Sequence, residues 1–139
     1  MSNDTEIKDK VREDVYDEEL LNRLLDGNDI DQFRDEFLAM HNYDQSEYFE
    51  DTDDNNRQKI FEFLSPKEVA NFFDQLDIDD EDYEELFDKI NANYASHVLE
   101  EMSYDNSVDI LNKLSKSKVA SLLTLMDKDE ANEIKALLH

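Results

Sequence analysis

The 139-residue chain contains no cysteine, one glycine and one proline. Without cysteine it has no disulfide bonds, no thiol chemistry and no cysteine-ligated zinc, and it suits a reducing compartment. Sheets with tight hairpin turns need more glycine and proline, so the composition predicts an all-α fold. The chain is long enough to bury one core of its own.

Basic residues are also scarce, with 14 Lys and Arg against 38 Asp and Glu, and the formal net charge is −24. Such a charge repels nucleic acid and anionic membrane surfaces, and it favours cations or basic protein surfaces as partners. No apolar run approaches the length of a membrane span, and no signal peptide opens the sequence. We therefore expect a chain that is soluble as given, without nucleic-acid binding or direct membrane insertion.

Catalytic motifs are missing as well. The three histidines, His41, His97 and His139, are too scattered in sequence for a metal triad, and His41 and His139 are expected at helix junctions. No nucleophile motif, glycine-rich phosphate loop or HExxH-type zinc signature is present. The sequence therefore predicts that this chain is not an enzyme.

One acidic stretch resembles a calcium-binding loop. Oxygen-bearing side chains fall at positions 1, 3, 5 and 12 of an EF-hand loop, at Asp51, Asp53, Asn55 and Glu62. The loop also requires glycine at its sixth position, where this chain has Asn56. We therefore interpret residues 50–56 as a solvated turn.

What the sequence does contain is a repeat of about twelve residues. Apolar residues recur at i, i+3, i+4, i+7, the spacing of one helix face, and successive quartets end at Leu64, Leu76, Ile90, Met102, Leu114, Met126 and Leu138. Residue types suited to helix amino termini follow six of these positions, namely Ser65, Asp77, Asn91, Ser103, Ser115 and Asp127. Each repeat is predicted to be one short helix, stabilised by its neighbours because isolated helices of this length are marginal in water.

Further signals mark particular helix ends. Ser65 with Glu68 and Asp127 with Glu130 have the spacing of a capping box, in which side chain and backbone satisfy each other reciprocally. Gly27 is placed to end the first strongly patterned helix.

The repeat predicts a superhelical solenoid of about ten short antiparallel helices in one domain, residues 17–139. Residues 1–16 form a polar amino-terminal segment in which Ile7, Val11 and Val15 make a weak stripe, and we predict a partly ordered helix there. The predicted core contains Leu64, Phe73, Leu76, Phe87, Ile90, Leu99, Met102, Leu111, Leu114, Leu123 and Met126.

Carboxylates fall in pairs at fixed positions of alternate repeats. Asp105 and Asp109 lie one helical turn apart, opposite the apolar face, and the equivalent positions two repeats away hold Glu81, Glu85, Asp129 and Glu133. Alternate helices of an antiparallel stack share a layer, so the pairs are predicted to form one stripe. Like charges at this spacing destabilise a helix by about 0.2–0.5 kcal/mol per pair, and a bound divalent cation would relieve the repulsion. A merely solvated acidic face is the alternative interpretation.

These repeats resemble the amino-terminal domain of MgtE-type magnesium transporters. The resemblance rests on the units SPKEVANFFDQLD, ASHVLEEMSYDNSVDILNKLS and SKSKVASLLTLMDKDEANEIKALL, and it covers residues 17–139. It implies a superhelix on the cytoplasmic side of the cell membrane. CBS domains and a membrane pore domain would follow in the same polypeptide, with a homodimer as the full-length assembly.

In that family the domain senses intracellular Mg²⁺, and ions bound between it and the CBS domains hold the pore closed. The resemblance carries this role onto SYDNSVDI, where Asp105 and Asp109 match two ligand positions, whereas Asn71 stands where the family has a glutamate. Two carboxylates supply only part of an octahedral oxygen shell, so we expect Mg²⁺ to bind weakly to this fragment alone.

Similar short-helix repeats occur in the flagellar motor switch protein FliG, which uses them for protein contacts alone. The alternative function is therefore a protein-interaction scaffold without metal dependence. The acidic motif and the net charge of −24 favour the transporter domain.

Overall fold

The computed structural model describes residues 16–139, and these contain ten α-helices and no β-strand. The predicted all-α fold is therefore confirmed, whereas the stripe of Ile7, Val11 and Val15 lies outside the described residues. The helices are α1 (Glu18–Asp26), α2 (Ile30–Leu38), α3 (Asn42–Asp51), α4 (Asp54–Phe63), α5 (Pro66–Phe73), α6 (Asp82–Asp88), α7 (Ala92–Glu101), α8 (Tyr104–Leu111), α9 (Lys116–Leu125) and α10 (Lys128–Leu137).

The chain divides into two compact units, with the boundary between Phe63 and Leu64. In the first unit α1 packs against α2 and α4, and α2 also packs against α4. In the second unit most packing is against the next helix but one, α5 against α7, α7 against α9 and α8 against α10, and α9 also contacts the adjacent α10. This alternation is the packing that the twelve-residue repeat predicts within the unit.

Aromatic rings fill the core of the first unit. Phe33 and Phe37 are completely buried and stack with 5.1 Å between ring centroids, and Phe63 meets Phe33 edge-on at 5.8 Å. Lys59 of α4 donates a hydrogen bond from its Nζ to the carbonyl of Leu25 on α1, at 3.0 Å. The edge-on ring pair thus joins α2 to α4, and the Lys59 hydrogen bond joins α4 to α1.

The stretch that resembles a calcium-binding loop is mostly helical. α3 continues to Asp51 and α4 begins at Asp54, so only two residues separate the helices. The side chain of Asp53 accepts a hydrogen bond from the N–H of Asn56 at 2.8 Å, which caps α4. The predicted solvated turn over residues 50–56 was therefore too long, because helical hydrogen bonding extends into both of its ends.

The predicted amino-terminal caps are confirmed at five of six positions. In each case the side chain accepts a backbone N–H from the first helical turn, at Ser65, Asn91, Ser103, Ser115 and Asp127. At Ser65 the capping box is complete, because Glu68 accepts the Ser65 N–H at 2.8 Å.

The sixth predicted cap, Asp77, is wrong. α5 ends at Phe73 and α6 begins only at Asp82, with Glu81 as its cap residue. The intervening residues 74–81 are irregular and carry five carboxylates. Their mutual repulsion disfavours a helix over this segment. The repeat is also longer here, because Leu76 and Ile90 are 14 residues apart instead of 12.

The predicted core residues are buried with one exception, Leu76, which is half-buried in the irregular segment. Gly27 does end α1, as predicted, but with a φ of −83°. The left-handed conformation belongs to the next residue, Asn28, at φ 54°. Within residues 16–139, no helix is both long and apolar enough to span a bilayer.

Leu111→Ala should lower the free energy of unfolding by about 2–5 kcal/mol, because the side chain is 1% exposed and its truncation leaves a cavity. The matched control is Leu137→Ala, whose side chain lies 46% exposed and whose loss should change stability by less than about 0.5 kcal/mol. Urea unfolding followed by far-UV circular dichroism measures both. Similar losses in the two variants would contradict the assigned core.

Ser115→Ala should destabilise the protein by about 1 kcal/mol, because the α9 N–H at Lys118 loses its acceptor and Glu84 loses the hydroxyl that donates to it. Ser117→Ala, two residues further along the same helix and exposed, removes the same hydroxyl without removing a cap. The urea midpoints of the two variants provide the comparison. A Ser117→Ala variant as unstable as Ser115→Ala would show that capping is not the cause.

Candidate functional site: exposed carboxylate pairs

The candidate metal-binding pair Asp105 and Asp109 lies on α8. This helix begins after its cap residue, Ser103, and its other face, which includes Leu111, is buried in the core. Both carboxylates are therefore exposed, one helical turn apart. Within residues 16–139 no ion pair or side-chain hydrogen bond engages either of them.

The second candidate pair, Asp129 and Glu133, is exposed on α10, which packs against α8. Tyr104 lies at the start of α8 near this face, and the pKa of its phenol is raised first by loss of solvation and then by the charges of Glu130 and Glu133. A carboxylate raises the pKa of a phenol because it disfavours a second negative charge nearby. The structure thus brings the start of α8, beside Asp105, close to the acidic face of α10.

The third candidate pair, Glu81 and Glu85, has different surroundings. Glu81 is the cap residue before α6, so the two carboxylates do not share the body of one helix. Glu85 accepts a charged hydrogen bond from Lys89 Nζ at 3.0 Å. Lys89 therefore already relieves part of the charge repulsion at this pair, whereas within residues 16–139 the pair on α8 has no such lysine.

The donor set on α8 fits a hard cation in part. Carboxylate oxygens are the ligands that Mg²⁺ prefers, and it commonly takes one or two of them together with water. Within residues 16–139, no group of three or more His, Cys, Asp and Glu side chains is close enough to hold a metal ion. Asp105 and Asp109 thus offer two oxygen-bearing groups, and further ligands must come from water or from another domain.

The histidines take separate places in the described structure. His41 is the exposed residue immediately before α3, and the His139 N–H donates to Asn112 Oδ1 at 3.3 Å. His97 Nδ1 lies 2.8 Å from Glu100 Oε1 on α7. His41 therefore lies at a helix junction, as predicted, and His139 follows the end of α10.

Sequence reasoning missed the contacts that hold α6 beside the end of α8. Glu84 accepts two hydrogen bonds from Ser115, from its N–H at 2.8 Å and from its hydroxyl at 3.0 Å. Lys113 Nζ lies 3.4 Å from Asp80 Oδ1 and 4.6 Å from the centroid of the Tyr83 ring. Glu84 and Ser115 are 31 residues apart, so no local spacing could have revealed this pair.

Comparisons with known proteins place this arrangement in a family. Residues 40–139 match the family described as the MgtE intracellular N domain. The chain is 41% identical over 120 residues to the magnesium transporter MgtE of Enterococcus faecalis (strain ATCC 700802 / V583), an alignment covering 86% of this chain and 26% of that relative. A crystal structure of the soluble part of a magnesium transporter matches with a TM-score of 0.83 and 40% identity, covering 88% of this chain and 48% of that one.

The described residues form an all-α fold of short helices with exposed acidic faces. The chain belongs to the MgtE intracellular N domain family, as the resemblance predicted. This is a family of transporter domains and not of enzymes, and its description agrees with the predicted intracellular location. The chain spans about a quarter of the length of its curated relative, 26%.

Replacing Glu130 and Glu133 with Gln should lower the pKa of the Tyr104 phenol towards that of a free tyrosine, because two nearby negative charges are removed. Tyrosine ¹³Cζ shifts followed through an alkaline titration measure the change, and Tyr104→Phe assigns the signal. The control Asp31→Asn removes a charge on α2, in the other unit. An equal shift in the control would contradict the placement of α10 beside Tyr104.

Proposed function

We propose that residues 17–139 form the Mg²⁺-sensing regulatory domain of a magnesium transporter, on the cytoplasmic side of the membrane. Support comes from membership of the MgtE intracellular N domain family and from a relative named as a magnesium transporter. In this proposal CBS domains and a membrane domain follow in the same polypeptide, and the full-length protein is a homodimer. The pore closes when the domain docks on the CBS domains with Mg²⁺ between them.

The observation that carries the proposal is the state of Asp105 and Asp109. They are like charges at i, i+4 that destabilise α8 by about 0.2–0.5 kcal/mol, yet no ion pair within residues 16–139 relieves them. By contrast, Glu85 on α6 has Lys89 beside it. An uncompensated, exposed pair of hard oxygen donors suits a divalent cation that arrives with part of its hydration shell.

Docking and Mg²⁺ binding are coupled in this proposal. Asp105 and Asp109 supply only part of the octahedral oxygen shell of Mg²⁺, and a docked domain carrying its own carboxylates adds oxygen ligands. The same carboxylates would otherwise be repelled by a chain of net charge −24. Cation binding therefore strengthens docking, and docking strengthens cation binding by the same free energy.

The remaining acidic candidates contribute less to the proposed sensing surface. Asp129 and Glu133 add negative potential beside α8 and attract the cation at longer range. Glu81 and Glu85 come last, because Lys89 must be displaced before Glu85 binds a cation. A scaffold without metal dependence would share the fold, but its docking would not respond to Mg²⁺.

The double variant Asp105→Asn, Asp109→Asn should raise the Mg²⁺ midpoint for compaction of the intact polypeptide's cytosolic region by about tenfold, corresponding to about 1.4 kcal/mol of binding free energy. The reason is the loss of two charged ligands at nearly unchanged side-chain volume. Small-angle scattering during a Mg²⁺ titration measures compaction. The chain from 1–139 alone should bind the ion more weakly than the intact polypeptide.

A matched control is available on α2. Asp31 and Asp35 are also exposed and one helical turn apart, so Asp31→Asn with Asp35→Asn removes the same charge at the same spacing. This control should leave the midpoint nearly unchanged, because the ligand positions implied by the family resemblance fall on Asp105 and Asp109 and not on this pair. An equal shift in both double variants would mean that net charge alone causes the effect. An intact polypeptide that does not compact with Mg²⁺ would refute the sensing role.

A further inference from the structure

A groove of about 470 Å³ lies open in the second unit. It is lined by one face of α9 and by residues at the carboxyl-terminal ends of α8 and α10. Its buried lining is apolar and includes Leu111, Leu114 and Leu123, whereas its exposed lining includes Lys116, Lys135 and His139. The face of α9 runs from Lys116 to Thr124, about 12 Å at 1.5 Å per residue, which is the length of two helical turns.

The repeat shows that this face of α9 is built for helix packing. Val119 and Ala120 occupy the positions that Val69 and Ala70 hold in α5, and that Ala95 and Ser96 hold in α7. The four residues of α5 and α7 are at most 2% exposed. In α9, however, Val119 is half-buried and Ala120 is exposed.

Small side chains recur at the second of these positions, as Ala70, Ser96 and Ala120. The distance between packed helices depends on the side chains at the contact, so a small residue permits a close approach. α5 packs against α7 and α7 against α9, and within the described residues α9 is the last helix of this series. The open face of α9 is therefore suited to pack against a further helix, in the way that α7 packs against α5.

The groove is also the cationic part of an acidic chain. Residues 110–126 contain three lysines and no carboxylate, in a chain of net charge −24. Lys113 and Lys118 pair with Asp80 and Asp88. Within residues 16–139, neither Lys116 nor Lys135, which both line the groove, is paired with a carboxylate. A helix with carboxylates beside its apolar face would complement both the apolar lining of the groove and its two lysines.

We propose that this groove receives an acidic amphipathic helix from the part of the transporter's own polypeptide beyond residue 139. The inference rests on the proposed function in one respect, since it requires the longer polypeptide. Leu138 and His139 line the groove, so a continuation of the backbone beyond them would start at its edge. A connection of about 2–8 residues, usual between packed helices, would then suffice, and the tether gives the helix a high effective concentration.

The test is the reactivity of a single thiol in the groove. The chain contains no cysteine, so Ala120→Cys introduces one reporter, and Ala92→Cys, exposed at the start of α7, is the matched control. Each is labelled with a maleimide in the intact polypeptide and in the chain ending at residue 139, with the unsubstituted intact polypeptide as background. We expect Ala120→Cys to react about tenfold more slowly in the intact polypeptide, because labelling requires the docked helix to open. Ala92→Cys should react equally in both.

Charge reversal tests the acidic character of the helix. Lys116→Glu with Lys135→Glu should restore fast labelling of Ala120→Cys in the intact polypeptide, because like charges then face each other. Lys67→Glu with Lys128→Glu changes the same charge at exposed lysines outside the groove and should preserve the protection. Protection that survives the first double variant would refute the electrostatic part of the proposal.

Other occupants give different results, and each would overturn the proposal. Protection that grows with protein concentration in the chain ending at residue 139 would identify a second copy. Equal labelling of Ala120→Cys in both lengths of polypeptide would leave the groove open. All labelling is performed in chelator, so a failure of Mg²⁺ sensing at Asp105 and Asp109 would leave this result unchanged.

Discussion

The structure depends on helices that are too short to be stable alone. The ten described helices have seven to ten residues each, below the length at which an isolated helix persists in water. Their stability comes from burying one face against other helices, as Val98 and Leu99 of α7 show at 1% exposure. Every helix is therefore both supported by its neighbours and necessary to them.

This dependence determines where function can reside. The quartet face is committed to packing, so the opposite face is free to carry charge at little cost to the core. Asp105 and Asp109 use that freedom on α8, and their short helix holds the two carboxylates on adjacent turns. The same dependence leaves an open apolar face, at Val119 and Ala120, where the series of packed helices reaches its last described member.

Charge is distributed unevenly along this scaffold. Most of the chain is acidic, which makes contact with another acidic domain conditional on cations. Residues 110–126 are free of carboxylates, and two of their lysines pair with Asp80, in the segment before α6, and with Asp88, at the end of α6. One region of the second unit thus combines an internal electrostatic contact with an external cationic groove.

The sequence by itself determined the features that depend on neighbours within one helical turn. Helix class, five of the six caps and the buried quartets follow from hydrogen bonds and periodicity over three to seven residues. Only the tertiary structure decided that no helix begins after Asp77, that Glu84 joins Ser115 across 31 residues, and that Ala120 is exposed while Ser96 is buried. These outcomes depend on which helices meet in space, and a local repeat is the same whether or not a neighbour covers it.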